Sequence, residues 1–357
     1  MKYYIKETNR NDLTEKTAGV KARADAESVF EQNGLQVIEI PSIVEDRECA
    51  NGLSKLKIHL DLYHLWKKEL GFLSSGDWIY VQFPLVEHTI LFYRVVRQLE
   101  RRGIHVSVLI HDVEAVRAAL RNDVSLKKRI RLKYEENSVF QECSQVIVHN
   151  VHMKKLIIDK LHVKGNKIRI LGIFDYLIPG FEEKKHASDS ADKNDPVIIA
   201  GNLRRHKAEY VYHLPENTTF NLYGIGYEEQ NKENISYKGS FDPDELPYVL
   251  EGSFGLVWDG ESAKTCTGVY GEYLKINNPH KTSLYLASGI PVIIWKEAAL
   301  AEFVEKHQCG ITVDSLYEIS EKIGHMTDDE YVKLKSNAGK IGKQLRKGYY
   351  LIRAGIE

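Results

Sequence analysis

Cysteine is scarce and scattered in this chain. Cys49, Cys143, Cys266 and Cys309 lie far apart with no CxxC spacing, which argues against a zinc ribbon or a disulfide framework and favours a reducing compartment. Neither sign of charge dominates, since 49 Lys and Arg against 50 Asp and Glu leave a formal net charge of −1. A protein that tracks nucleic-acid phosphates ordinarily carries a clear basic excess, so no nucleic-acid partner is expected. No apolar run approaches the roughly 20 residues that span a bilayer. The opening Met1-Lys2-Tyr3-Tyr4-Ile5-Lys6 turns polar too soon for a signal peptide. Internal repeats and low-complexity segments are also missing. A cytoplasmic protein is expected, with peripheral contact at the inner face of the cell membrane left open.

What the chain does contain is 357 residues, 43% of them hydrophobic, enough for two domains each with its own core. Short β-rich runs alternate with helical stretches, the pattern of parallel sheets wound with crossover helices. In the first half, strands are predicted near Tyr3–Lys6, Leu35–Ile40, Trp78–Gln82, His105–Ile110, Gln145–Val148 and Lys167–Leu171. Helices are predicted over Val20–Asn33, His88–Arg102 and Val151–Leu161. Residues 182–196, charged and nearly devoid of large apolar groups, read as a linker. The pattern then restarts with strands near Val197–Ala200, Thr219–Tyr223, Phe254–Trp258, Pro291–Trp295 and Gly310–Val313. The expected organisation is an N-terminal Rossmann-like domain (1–181), the linker, a C-terminal Rossmann-like domain (197–338) and a closing helix (339–357) crossing between domains. Two such α/β domains would face each other across a cleft, with their functional loops at the carboxyl ends of the strands.

The strongest chemical signal is residues 271–295, GEYLKINNPHKTSLYLASGIPVIIW. Asn278 can cap a helix, Pro279 suits its first position and Gly289 ends it. A helix starting at the mouth of a sheet offers unpaired N–H groups to a diphosphate. Lys281 in its first turn adds a point charge, and His280 adds a donor, or a charge if its surroundings favour one. The alternative is a capped surface helix with a solvated lysine. Gly201-Asn202-Leu203 follows the strand Val197–Ala200, where a turn lets backbone approach a ligand. A lone glycine there reads first as a simple tight turn without a ligand.

Together with LIHDVEAVR (109–117), SQVIVHN (144–150), GNLRRHK (201–207) and GLVWDG (255–260), this segment resembles the bacterial β-1,6-galactofuranosyltransferases and related glucosyltransferases that build surface polysaccharides and adhesin glycans. The resemblance runs over nearly the whole chain. It implies a two-domain glycosyltransferase of type B (GT-B), a UDP-sugar donor held mainly by the C-terminal domain, and no obligatory metal or other cofactor. It places Asn277, Asn278 and Lys281 near the donor phosphates, makes Asn202 and Tyr223 further donor-site candidates, and relates Thr17, Gly19 and Lys21 to the family's N-terminal loop. A plain turn is the other reading of that loop.

Asp242-Pro243-Asp244 is the nearest imitation of a metal-binding carboxylate pair. It reads better as the cap, first residue and capping box, with Glu245, of a helix leading to Leu250. A leaving diphosphate would then rest on Lys281 and helix N–H groups. Retaining enzymes of this fold often carry two glutamates separated by seven residues near the donor; counting from Glu261 gives Val269 and from Glu272 gives His280, which favours inversion. An inverting transfer needs a base for the acceptor hydroxyl. Asp112, after the strand His105–Ile110, is the first choice, with His111 and Glu114 beside it. Equally, Asp112 could cap the next helix and His111 could satisfy a backbone group. Asp259 and Glu261 could orient sugar hydroxyls. Phe83, at another strand end, could stack on an acceptor sugar or pack in the core.

Lys127, Lys128, Arg129, Arg131 and Lys133 suit anionic lipid headgroups or a lipid-pyrophosphate acceptor, or form a solvated face diluted by Glu135 and Glu136. The expected activity is transfer of galactofuranose, glucose or galactose from a UDP-sugar to a glycan or lipid-linked glycan, with a homo-oligomer left open. A nucleotide-sugar epimerase or hydrolase, and a non-catalytic donor-binding partner, are the competing readings.

Overall fold

The computed structural model describes residues 1–8, 18–43, 52–228 and 232–356. The chain divides into two compact units: Met1–Glu15, Ala26–Leu171 and Ile352–Glu357 form one, and Lys16–Asp25 with Gly172–Leu351 form the other.

The N-terminal unit runs β1 (Lys2–Thr8), α1 (Ala18–Gln32), β2 (Gln36–Pro41), α2 (Gly52–Glu69), β3 (Trp78–Phe83), α3 (Phe92–Arg101), β4 (His105–Ile110), α4 (Glu114–Leu120), α5 (Leu126–Glu142), β5 (Gln145–Val148), α6 (Val151–Leu161) and β6 (Ile168–Ile170). The first half of α1 clusters with the other unit. Six parallel strands lie in the order β2-β1-β3-β4-β5-β6. Helices on both faces bury the central strands, so β3, β4 and β5 read as near-continuous apolar runs. Phe83 belongs to this core, 1% exposed and edge-on to Phe140 at 5.3 Å; burial removes it from stacking on an acceptor. The helix expected from His88 begins only at Phe92, because 84–91 runs as loop after Pro84.

The C-terminal unit continues with β7 (Val197–Asn202), α7 (Arg205–Ala208), β8 (Phe220–Ile225), β9 (Ile235–Gly239), α8 (Leu246–Val249), β10 (Gly255–Val257), α9 (Gly268–Tyr273), α10 (His280–Ala287), β11 (Val292–Trp295), α11 (Ala301–His307), β12 (Gly310–Val313), α12 (Ile319–His325), α13 (Asp328–Leu345) and α14 (Tyr349–Leu351). Its six parallel strands are ordered β12-β11-β10-β7-β8-β9. Counted from β7, this is the Rossmann order 3-2-1-4-5-6, so the direction of winding reverses between β7 and β10. Ligands of open parallel sheets bind outside the carboxyl ends of the strands at such a reversal.

Residues 182–196 cluster with this unit, where Ser253 Oγ donates to the Asp195 carbonyl and Lys335 Nζ donates to that of Ser188. The closing helix starts at Asp328, where Thr327 and Glu330 form a capping box, and ends at Leu345. The chain turns at Gly348 (φ 69°) before α14, and Ile352–Glu357 cluster with the N-terminal unit.

Candidate donor site

The carboxyl ends of β7 and β10 carry Gly201-Asn202 and Trp258-Asp259-Gly260. Strands β7 and β8 approach closely there: a Cβ on Gly224 (φ +144°) would lie 1.7 Å from the Gly201 carbonyl oxygen. Only glycine fits that position. Asn202 turns its Oδ1 onto the Arg204 N–H (3.1 Å), so the turn is partly closed by its own side chain.

Helix α10 is fixed to the same edge. Pro279, in extended conformation, is its cap and offers no side-chain bond. Asn278, expected in that role, instead donates Nδ2 to the Gly172 carbonyl at 2.9 Å, because its side chain is buried. Nor is this a surface helix: Thr282 to Ala287 are all buried. Tyr285 ties it down, its hydroxyl accepting from Ala200 N–H at 2.7 Å, while Ser283 Oγ donates to the Phe174 carbonyl at 2.6 Å. The chain leaves the helix at Gly289 (φ +75°).

Lys281 Nζ donates to Asp259 Oδ1 at 2.8 Å and to the Trp258 carbonyl at 2.9 Å. Both partners lie at the end of β10, so the ammonium is held at the winding reversal with one of its three donors left over. Around the helix start, Asn277 Oδ1, His280 Nε2 and Thr282 Oγ1 are buried without a hydrogen-bond partner among the described residues. Buried polar atoms ordinarily find partners, so these three atoms are open to one that the described residues do not supply. His280 carries no charge at neutral pH: desolvation, aided by the Lys21 ammonium, lowers its pKa to about 4. It remains a neutral donor or acceptor.

Lys21 lies within helix α1, not in a loop, and Gly19 is likewise helical. Its amine meets Asp25 Oδ1 (2.7 Å), Asp244 Oδ1 (2.7 Å) and the Leu177 carbonyl (2.8 Å), and sits 5.1 Å over the Tyr176 ring. The Tyr176 ring also meets His280, with ring centroids 5.0 Å apart. Thr17 lies outside the described residues. Asp244 is thus an ion-pair partner, and the capping box expected for Asp242 and Glu245 does not form, since α8 starts only at Leu246 with an uncapped Glu245 before it. Tyr223 is a core residue, 2% exposed, its hydroxyl bridging the Val249 carbonyl and the Glu251 N–H at the end of α8. That burial removes it from the donor candidates. Glu261 lies beside Gly268, where an added Cβ would meet its Oε1 at 2.6 Å.

In the N-terminal unit, the carboxyl end of β4 leads into His111 and Asp112. His111 Nε2 pairs with the side-chain Oε1 of Gln82 at 2.7 Å. Asp112 accepts from the Arg117 guanidinium. It does not cap α4, whose cap is Val113. Glu114 Oε2 faces His88 Nε2 at 3.4 Å, and His88 Nδ1 faces Glu135 Oε1 at 3.3 Å. Glu136 accepts from Ala115 N–H at 3.0 Å, and burial pushes its carboxyl well above the ordinary range. His88 carries no signal in the sequence beyond its place before an apolar run; only the fold sets it between carboxylates. Among the described residues, no group of three or more His, Cys, Asp or Glu side chains is arranged to hold a metal ion.

The architecture is shared with solved glycosyltransferases. A sucrose-phosphate synthase from Thermosynechococcus elongatus aligns over 100% of this chain and 98% of its own, with a TM-score of 0.63 at 11% identity. WaaG, a glycosyltransferase involved in lipopolysaccharide biosynthesis, covers 100% and 98% with a TM-score of 0.57 at 10% identity. Two six-stranded parallel Rossmann-type sheets shared with these enzymes mark the class: this is a glycosyltransferase of the GT-B fold. The chain belongs to the glucosyltransferase 3-like family, whose N-terminal domain matches residues 2–173 and whose C-terminal domain matches residues 197–357. Among relatives, β-1,6-galactofuranosyltransferase WbbI of Escherichia coli (strain K12) is 34% identical over 354 residues, 98% of this chain and 95% of that protein. Glucosyltransferase 3 of Streptococcus gordonii is 27% identical over 314 residues, 84% of this chain and 86% of that protein.

Proposed function

We propose that the chain transfers a hexose (galactofuranose, glucose or galactose) from a UDP-sugar to a glycan or lipid-linked glycan, with inversion and without a bound metal. The observation that carries this is the Lys281 ammonium, anchored to Asp259 and Trp258 at the winding reversal with a donor to spare. As UDP departs, its diphosphate gains charge. Lys281 and the first N–H groups of α10 stabilise that charge in place of a cation. The orphaned polar atoms of Asn277, His280 and Thr282 at the same helix start supply further partners. Asn202 and Asp259 are assigned to the donor's ribose or sugar hydroxyls.

Asp112 is the proposed base, taking the proton of the acceptor hydroxyl as the new glycosidic bond forms. Its place at the carboxyl edge of the N-terminal sheet, beside His111 and Glu114, supports that role. A panel of UDP-sugars screened for protection against thermal unfolding tests the donor reading. A true donor at 100 times its Kd stabilises the fold by about 2.7 kcal/mol. A single protecting UDP-hexose would name the donor, and silence across the panel would refute the site.

A further inference from the structure

Helix α5 presents an uncovered apolar ridge. Leu126, Ile130 and Tyr134 are 71%, 61% and 51% exposed, and their spacing of four residues aligns them along one stripe of the helix. At 3.6 residues per turn, Lys127 and Arg131 flank that stripe on one side, and Arg129 and Lys133 flank it on the other. The opposite face packs inward through Leu132, Val139 and Phe140.

The two carboxylates that would dilute this charge do not reach the surface. Glu135 and Glu136 are 3% and 2% exposed, because they fall on the inward face of α5. Their neighbours there are His88 and the Ala115 N–H. The next acid along the helix, Glu142, is engaged by Arg97 at 2.6 Å. On α3, packed beside α5, the exposed Arg94 lies near Tyr93, whose ring meets Tyr134 edge-on at 5.8 Å. The outer face is therefore apolar along its crest and cationic on both flanks.

We propose that this face of α5 docks the enzyme on a membrane surface bearing anionic headgroups. Leu126, Ile130 and Tyr134 enter the boundary between headgroups and acyl chains, while Lys127, Arg131 and Lys133 extend to lipid phosphates. Charge complementarity selects this occupant: a second copy of the same face would set cation against cation, and a neutral apolar partner would leave the flanks unmatched. The surface is independent of the donor site, so either can fail without the other.

The test is co-sedimentation of the full chain with phosphatidylcholine vesicles with and without 30% phosphatidylglycerol, at low and at high salt. Binding is expected only with phosphatidylglycerol, weakening as salt rises. Lys127→Glu with Lys133→Glu should lower the partition coefficient more than tenfold, since each cation near such a surface contributes a factor of about five. Leu126→Ser with Ile130→Ser should also release the protein, while its melting temperature stays at the wild-type value because both side chains are exposed. Three results would overturn the proposal: equal partition to both vesicle types, unchanged partition of both variants, or a wild-type dimer in sedimentation that the serine pair converts to monomer.

Discussion

Lys281 and Asp259, 22 residues apart in sequence, meet at 2.8 Å with both side chains largely buried. The pair joins the start of α10 to the end of β10 and so ties two separate turns together. A buried pair of this kind costs desolvation that its own attraction barely offsets. Its retention at the winding reversal is consistent with service to a ligand.

Asp259 places a negative charge close to the proposed diphosphate. Asp259→Asn should therefore leave UDP affinity equal or a few-fold tighter, since the Trp258 carbonyl still holds Lys281. Turnover of the UDP-sugar should fall at least tenfold if the carboxylate positions the sugar. Calorimetry with UDP beside steady-state rates separates the two effects.

Asp112→Asn should reduce transfer by about 10²- to 10⁴-fold, the usual contribution of a positioned base. UDP binding should stay at the wild-type value. Full turnover by this variant would remove Asp112 from the role and shift attention to His111 or Glu114.

Asp175 makes stability depend on pH. Burial raises its carboxyl pKa from 3.8 to about 7, although the N–H groups of Tyr350 and Leu351 donate to it. Asp25 is raised to about 6, by desolvation that the neighbouring Lys21 only partly offsets. Between pH 4 and 7 the folded protein thus holds protons that the unfolded chain has released. Stability conferred below pH 4 is lost as pH rises through that window, by at most about 4 kcal/mol for Asp175. Urea denaturation at pH 5 and pH 7.5 should show the decline, and Asp175→Asn should flatten it.

Much of the fold was legible because parallel strands buried on both faces read as apolar runs, as in Val292-Ile-Ile-Trp295. Strand β9 escaped notice: it lies at the sheet edge, is half-exposed, and carries Ser236 and Lys238 within five residues. Helix α2 escaped too, since its polar sequence shows an inward stripe only at Leu62 and Trp66, which continues past the helix end at Leu70. For the site, Lys281 and Asp259 could each be named from local chemistry, but their meeting depends on how α10 folds back to β10. The burial of Tyr223 and the choice between the two readings of Phe83 are hidden for the same reason in reverse, as an aromatic at a strand end does not reveal whether its ring turns inward. The inward turn of Glu135 and Glu136 followed from tertiary packing alone.

The most direct test is a calorimetric titration of UDP into wild-type protein and Lys281→Ala. Loss of the ammonium, with Asp259 left unpaired beside the diphosphate, should weaken UDP binding at least tenfold and lower the transfer rate with it. Equal affinity and equal rate in the two proteins would contradict the assignment of the donor phosphates to the start of α10.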